Sequence, residues 1–315
     1  MLEILQKLVG AERVWAEEPM KDHTTFRAGG CARYLVEPED AAQLSAVVNA
    51  CREQDVPYYV VGNGSNLLVS DEGYDGVIIH LFKNMSKIRV EGERMILQAG
   101  ALLVRAASTA CREGLSGLEF ASGIPGTVGG ALVMNAGAYG GEMKDVASRV
   151  TVLTAEGTIR EYTKEEMAFG YRRSRLTEEE SIVLEAEFAL RPGRTEEIRA
   201  RMEELKEQRV AKQPLEYASA GSTFKRPEGY FAGKLIEDAG LRGFRIGDAQ
   251  VSEKHCGFVI NRGNATASQI AEVIRQVQDR VYERSGVRLQ TEVKFLGWEQ
   301  TEKQADVNSG GRQKR

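Results

Sequence analysis

An α+β fold spread over more than one domain is what this sequence predicts, and three observations predict it. Its 315 residues exceed the size at which one hydrophobic core stops growing. Strand-like runs alternate with helical stretches through the first half. Between Ala121 and Glu142 stand seven glycines punctuated by Ile, Val, Leu, Met and Tyr, a pattern that shapes backbone around something rather than spacing out a linker.

The elements follow in order. Residues 32–38 (ARYLVEP) read as a strand, and the next stretch, 39–54, places Leu44, Val47, Val48 and Cys51 on one helical face. Residues 57–62 (PYYVVG) return as a strand, so a β-α-β unit is expected, and 76–82 continues the theme. Residues 86–92 and 94–100 read as a hairpin that opens a second region, and a helix over 101–113 runs into the glycine-rich stretch. Beyond it, 149–162 and 182–190 are strand-like, the latter with Ile182, Leu184, Ala186, Phe188 and Leu190 on one side. The helix expected over 195–212 has only Ile198, Met202 and Leu205 as an apolar stripe, and its many charges read as a solvated helix linking two domains. A third region holds a short helix near 229–240, a strand at 256–261, an amphipathic helix over 267–284 and a strand over 287–299. The closing residues lack any core-forming pattern, which predicts a disordered tail.

Composition removes several function classes. Lys and Arg number 42 against 46 Asp and Glu, a net charge of −4, and no basic stripe would track a phosphate backbone, so nucleic acid is not an expected partner. Glu3 and Lys7 interrupt what would have to be a signal peptide's apolar stretch, and nowhere do 18 apolar residues run together, which predicts a soluble cytoplasmic protein without membrane association. Cys31, Cys51, Cys111 and Cys256 form no C-x-x-C pair and read as isolated thiols in a reducing compartment. With three histidines in the whole chain, no metal site is expected.

Two glycine loops carry the chemistry. Residues 60–69 (VVGNGSNLLV) follow a predicted strand directly, but Leu67 stands where the dinucleotide fingerprint needs its third glycine. Gly62 and Gly64 still permit positive φ, so the N–H groups of Asn63, Gly64, Ser65 and Asn66 can converge as a nest for a pyrophosphate; an ordinary tight turn is the alternative. The segment GIPGTVGG offers a second dense set of unshielded N–H groups. Two such loops suit a long dinucleotide pinned at its phosphates and at its ring system.

Six ordered stretches, at 23–38, 60–79, 123–142, 169–176, 220–227 and 289–297, together resemble the UDP-N-acetylenolpyruvoylglucosamine reductase family, and the resemblance runs from about residue 21 to 298. It implies an FAD-binding fold of the vanillyl-alcohol-oxidase (PCMH) type in two subdomains, 1–83 (completed by a strand at 292–299) and 84–210, plus an α+β substrate domain at 211–291 before a tail at 300–315. It implies FAD as cofactor, NADPH as hydride donor, a UDP-sugar enolpyruvyl ether as substrate and a monomer. FAD would lie along Gly62 to Asn66 and along Ser122, Gly123, Ile124, Gly126, Thr127, Gly129, Gly130, Asn135 and Gly137. His23, His80 and His255 all lie outside these loops, so non-covalent FAD is expected.

The resemblance also assigns the chemistry. Arg172 matches the family's catalytic arginine, whose planar fork suits a carboxylate on which charge develops; a surface ion pair is its alternative reading. Ser222 matches the proton donor: a hydroxyl is a weak acid, but an enolate-like carbon is a strong base, so a positioned serine suffices. Glu292 matches the third catalytic residue, and burial is expected to raise its pKa; a strand-end salt bridge is its bland alternative. Lys225 and Arg226 would meet the UDP phosphates, and Tyr171 the substrate. Only 50 positions separate Arg172 from Ser222, too few for a substrate-capping tyrosine loop, which places the chain with the shorter form of the family. A flavin oxidase of the same fold and a catalytically silent nucleotide-sugar sensor are the competing functions. Non-covalent attachment is checked by acid precipitation of the yellow protein: all flavin is expected in the supernatant, and colour retained in the pellet would refute it.

Overall fold

The helix expected after the first long strand runs Ala41–Glu53, and its start is built by local chemistry. Asp40 accepts from the Gln43 amide at 2.8 Å, and the Gln43 side chain accepts in turn from the Glu39 amide, satisfying amide groups that a helix start leaves orphaned. Leu44, Val47, Val48 and Cys51 are buried, as their spacing predicts. The structure, a computed structural model, describes residues 1–298, so the predicted tail lies outside the described residues.

By their internal contacts the described residues fall into two units. The first comprises Met1–Glu18, Ala32–Gly64 and Gly76–Ala211. Its first sheet has the order Val14–Pro19, Cys31–Val36, Tyr74–His80, Tyr58–Val61, with the last two strands parallel, Tyr58 facing Val77. The two strands of the expected β-α-β unit lie in this one sheet with Tyr74–His80 between them. Val77, Ile78 and Ile79 are all fully buried, apolar on both faces, and such a strand takes an interior position. A helix at Leu2–Val9, anchored by buried Leu5 and Val9, precedes this sheet.

A five-stranded antiparallel sheet follows in the same unit, ordered Ile159–Thr163, Ala147–Leu153, Ile182–Ala189, Arg94–Gln98, Ile88–Glu91. The long strand-like run at 149–162 is thus a hairpin, folded where the Thr154 amide donates to the Thr158 carbonyl at 2.8 Å. One hydrophobic core extends from Leu5 to Leu190, so both sheets of this unit pack on shared buried residues. The helix Thr195–Lys212 also belongs to this unit, with Ile198 and Leu205 buried and Met202 packed on the core.

The second unit gathers Pro19–Cys31, Ser65–Asp75 and the described residues from Lys212 to Trp298. Helix Ala267–Ser285 buries Ile270, Val273, Ile274, Val277 and Val281. A four-stranded sheet ordered Ala218–Ser219, Val259–Asn261, Ala249–Val251, Arg245–Ile246 accompanies it. The two excursions from the N-terminal half are held by specific contacts: fully buried Phe26 and Leu68 join this unit's core, and Asn261 Nδ2 donates to the Phe26 carbonyl at 2.9 Å. The strand expected over 287–299 is shorter, Lys294–Leu296, and it pairs in parallel with Leu67–Val69 inside this unit. Among the described residues no helix is long and apolar enough to cross a membrane.

Helix Ala267–Ser285 receives its N-terminus from a distant residue. The Asp71 carboxylate accepts from the amides of Ala267 at 2.7 Å and Ser268 at 2.8 Å, while Thr266 and Gln269 form a reciprocal capping box. Desolvation pulls the Asp71 pKa up, but the hydrogen bonds from Ser268 and Ala267 outweigh it and leave it below the ordinary value. A depressed carboxyl contributes stability above its unfolded pKa of roughly 3.9 and loses it as pH falls through the lower folded value. Asp71→Ala should therefore cost ~1 kcal/mol at neutral pH, with the gap to the native protein closing as pH falls below the ordinary carboxyl range. Urea unfolding in both pH ranges checks this, and an equal deficit in each would show that the charge is not what caps the helix.

Candidate active site

The first glycine loop uses its two glycines for different reasons. Gly64 adopts φ +57°, a left-handed conformation that side chains disfavour. Gly62 does not lie in that region; a Cβ on it would run into the Thr127 side chain. Asn63 completes the link, its side-chain Nδ2 donating to the Pro125 carbonyl. The two loops that sequence separates by some sixty positions thus meet inside the first unit, as a cradle for one long ligand requires. Further along, the Asn66 side chain donates to the Glu292 carbonyl at 3.0 Å and its own carbonyl accepts from the Lys294 amide at 2.9 Å, both within the second unit.

The second loop is more committed to itself than its glycine content suggests. The amides of Ile124, Val128 and Gly129 are spent on the carbonyls of Ala121, Ala101 and Ala99, and the Leu103 amide holds the Gly126 carbonyl. The Ser122 hydroxyl donates to the Glu119 carbonyl at 2.8 Å. Asn135 is committed to the protein in the same way. It is fully buried at φ +42°, donates to Glu142 Oε2 at 2.8 Å and the Gly170 carbonyl at 2.9 Å, and accepts from the Lys144 amide at 2.9 Å.

Those bonds hold the turn that presents Arg172. Residues Gly170 to Arg173 close on each other, the Arg173 amide donating to Gly170 and the Gly170 amide to Arg173. Arg172 occupies the third position with φ +53°, where glycine or asparagine is usual. Its Nη2 donates to the Gly137 carbonyl at 3.3 Å and its guanidinium lies 5.1 Å from the Tyr171 ring centre. Tyr171 is exposed. Glu142 pairs with Lys144 at 2.9 Å, and its carboxyl is held below the ordinary range chiefly by the Lys144 hydrogen bond, with Asn135 and the charges of Lys144 and Arg172 adding to it. Glu142 and Lys144 are contributors that sequence reasoning did not single out; only their place at the end of the glycine stretch pointed to them.

In the second unit Ser222 and Glu292 come together from 70 positions apart. The Glu292 amide donates to the Thr223 carbonyl at 2.8 Å, and the Lys225 amide to the Gln290 carbonyl at 2.9 Å. Thr223 itself is fully buried, donates its amide to the Gly257 carbonyl at 2.9 Å and accepts at Oγ1 from the Val259 amide at 2.9 Å. Ser222, one position before this anchor, is exposed, and Glu292 is half-buried. His255 supports the arrangement at one remove: its Nδ1 accepts from the Gly257 amide at 3.0 Å, and burial pushes its pKa down. Lys294, also missed in the sequence, has its pKa lowered by desolvation and then by the charge of Lys225. Two lysines that repel each other beside an exposed serine describe a surface prepared for an anion. Arg226 stacks 4.0 Å over the exposed Phe231 ring.

Comparison with known proteins agrees with both halves of this description. Residues 32–163 match the family model described as FAD binding domain, and residues 213–296 match the C-terminal domain of UDP-N-acetylenolpyruvoylglucosamine reductase. The chain is 53% identical to the UDP-N-acetylenolpyruvoylglucosamine reductase of Agathobacter rectalis over 293 residues, covering 89% of this chain and 93% of that one. It is 50% identical to the reductase of the same name from Clostridioides difficile, over 93% of this chain and 96% of that one. Among solved structures, the reductase from Thermus caldophilus superposes with a TM-score of 0.77 at 38% identity, covering 90% of this chain and 98% of that one. The loop geometry generates a direct test. Gly64→Val places a β-branched side chain at a left-handed position, and the variant should lose FAD while keeping its fold by circular dichroism; full flavin occupancy would overturn the assignment of this loop to the cofactor.

Proposed function

This chain belongs to the UDP-N-acetylenolpyruvoylglucosamine reductase family, and from that premise we propose that it reduces UDP-N-acetylglucosamine enolpyruvate to UDP-N-acetylmuramate with NADPH, in peptidoglycan precursor synthesis, as a cytoplasmic monomer. The FAD-binding fold is of the vanillyl-alcohol-oxidase type. The cofactor fits on geometry: a left-handed Gly64, a Gly62 with no room for a side chain and an Asn63 tied to the second loop leave backbone, not side chains, lining the cradle. When bound non-covalently there, FAD supplies hydride to C3 of the enolpyruvyl double bond.

The chain's own residues do the rest. Hydride arrival at C3 drives negative charge onto C2 and the adjacent carboxylate, and Arg172 is proposed to meet that charge with a guanidinium already oriented, so no reorganisation accompanies the reaction. Ser222 donates the proton to C2. Its weakness as an acid is offset by the basicity of the carbon it serves and by a fixed position one residue from buried Thr223. Glu292 is proposed to orient the enolpyruvyl group beside that hydroxyl, Lys225 and Arg226 to bind the UDP phosphates, and Tyr171 to contact the substrate. Residues between Arg172 and Ser222 are largely taken up by the strand Ile182–Ala189 and the helix Thr195–Lys212, in keeping with the shorter form of the family, without a capping tyrosine loop. The observation that supports the reading most is the Glu292-to-Thr223 backbone hydrogen bond, which ties the segment of Glu292 to the residue that follows Ser222.

The two half-reactions separate these roles. In Ser222→Ala, reduction of the bound flavin by NADPH should proceed nearly unchanged, while reoxidation by the enolpyruvyl substrate slows by ~10²- to 10⁴-fold, the range for a lost general acid. Arg172→Lys should likewise spare flavin reduction and slow reoxidation. Stopped-flow absorbance in the flavin band times each step. If Ser222→Ala slows both steps equally, or neither, the serine is not the proton donor.

A further inference from the structure

Four of the seven non-glycine residues with positive φ among the described residues gather around one turn: Asn135 at +42°, Tyr139 at +52°, Ala168 at +47° and Arg172 at +53°. Side chains disfavour such conformations, which persist only where the surroundings over-determine them and which concentrate at functional sites. Here the surroundings can be followed bond by bond. The turn 170–173 is held at both ends by the chain that closes helix Val128–Val133. At its start Asn135 Nδ2 donates to the Gly170 carbonyl at 2.9 Å, and just past its end the Ser174 hydroxyl donates to the Val133 carbonyl at 2.9 Å. Both side chains are buried.

Asn135 also reaches the other end of Arg172. Its Nδ2 donates to Glu142 Oε2 at 2.8 Å and its Oδ1 accepts from the Lys144 amide at 2.9 Å, which fixes the far strand of the hairpin 137–142. That hairpin supplies the Gly137 carbonyl to which Arg172 Nη2 donates at 3.3 Å. One side chain thus ties down both the backbone and the guanidinium of Arg172. Asparagine suits this place on two counts. It tolerates left-handed φ better than most side chains, and its amide offers two donors and an acceptor, where an aspartate would set a second carboxylate against Glu142. We propose that Asn135 and Ser174 are positioning residues for Arg172, which fix its guanidinium where the enolpyruvyl carboxylate takes up charge and so act on flavin reoxidation alone. A cation already in place stabilises a developing charge without reorganisation, and a misplacement of ~1 Å can cost ~10²-fold in rate. Hydride transfer from NADPH develops no charge at that carboxylate and does not call on them. The proposal rests on the assignment of Arg172 made above.

The test uses the whole FAD-loaded protein. Asn135→Gly keeps the left-handed backbone and removes all three side-chain bonds, and Ser174→Ala removes the other hold on the turn. In both variants flavin occupancy and flavin reduction by NADPH should stay close to native. Reoxidation by the enolpyruvyl substrate should slow, by ~10²-fold in Asn135→Gly and by less in Ser174→Ala. Added to Arg172→Lys, Asn135→Gly should slow reoxidation little further, because the guanidinium it positions is gone. A second readout needs no turnover. Trypsin cleaves after arginine, and Arg172 and Arg173 both lie in the turn, so releasing Gly170 in Asn135→Gly should speed cleavage there about tenfold. Native-like reoxidation in Asn135→Gly, equal slowing of both half-reactions, full additivity with Arg172→Lys or unchanged tryptic cleavage would each overturn the proposal. So would loss of FAD from Asn135→Gly, which would make the residue a cofactor contact. Unimpaired reoxidation in Arg172→Lys would instead strike the functional reading, and that single variant tells the two failures apart.

Discussion

Thr223 fastens three segments at once, and the second unit's chemistry follows from that. Its amide, carbonyl and hydroxyl are all engaged, with Gly257, Glu292 and Val259, and it is fully shielded from solvent. A buried hydrogen bond contributes ~1 kcal/mol net, but leaving any of these groups unpaired would cost ~1–3 kcal/mol, so slippage of the 222–225 segment is strongly opposed. Ser222 inherits this rigidity without sharing the burial. An exposed hydroxyl beside an immovable anchor suits a group that must meet a substrate at a fixed place.

A comparable economy governs Arg172 in the first unit. A non-glycine residue in the left-handed region costs on the order of 1 kcal/mol or more, and Asn135 and Arg172 both occupy it. The three bonds of buried Asn135, together with the Ser174 hydroxyl donating to the Val133 carbonyl at 2.9 Å, supply an offset of a few kcal/mol. The strain is thus held by the glycine stretch rather than relieved. The guanidinium ends up aimed by Gly137 and by the Tyr171 ring, two contacts that leave it charged and directional.

Much of this was legible in the sequence, and what was not has physical causes. Helix Ala41–Glu53 and helix Ala267–Ser285 follow from periodicity, because their buried faces are apolar, whereas the distant Asp71 at the start of the second leaves no local signal. The sheet order escaped, since apolar runs such as Val77 to Ile79 declare burial on both faces but not which neighbours they take. The strand over 287–299 was overdrawn because alternation continues where pairing with Leu67–Val69 has stopped. A further use of glycine in the second glycine loop leaves no mark in the sequence: Gly129 lets the chain approach Ala99 closely enough for a 2.8 Å hydrogen bond. Arg209, half-buried beside Gly123, was invisible for a different reason. In a run of ten charges on one helix, no local signal distinguishes the residue that a tertiary contact turns inward.

The cations of this protein therefore sort by whether a carboxylate answers them. Arg275 sits between Glu272 and Asp279 on an exposed helix face, and Arg194, Arg201 and Lys206 pair with glutamates three positions away on theirs; such pairs contribute only tenths of a kcal/mol each. Lys225 and Lys294 have no such partner among the described residues, and for Lys294 the surroundings disfavour the charge. In a chain with a net charge of −4, carboxylates are abundant, so their absence beside these two groups is selective. Both lie on the segments that hold Ser222 and Glu292. A cation kept unpaired at the expense of stability is what an anionic ligand needs to find, because a carboxylate already in place would have to be displaced before the ligand's own charge gained anything.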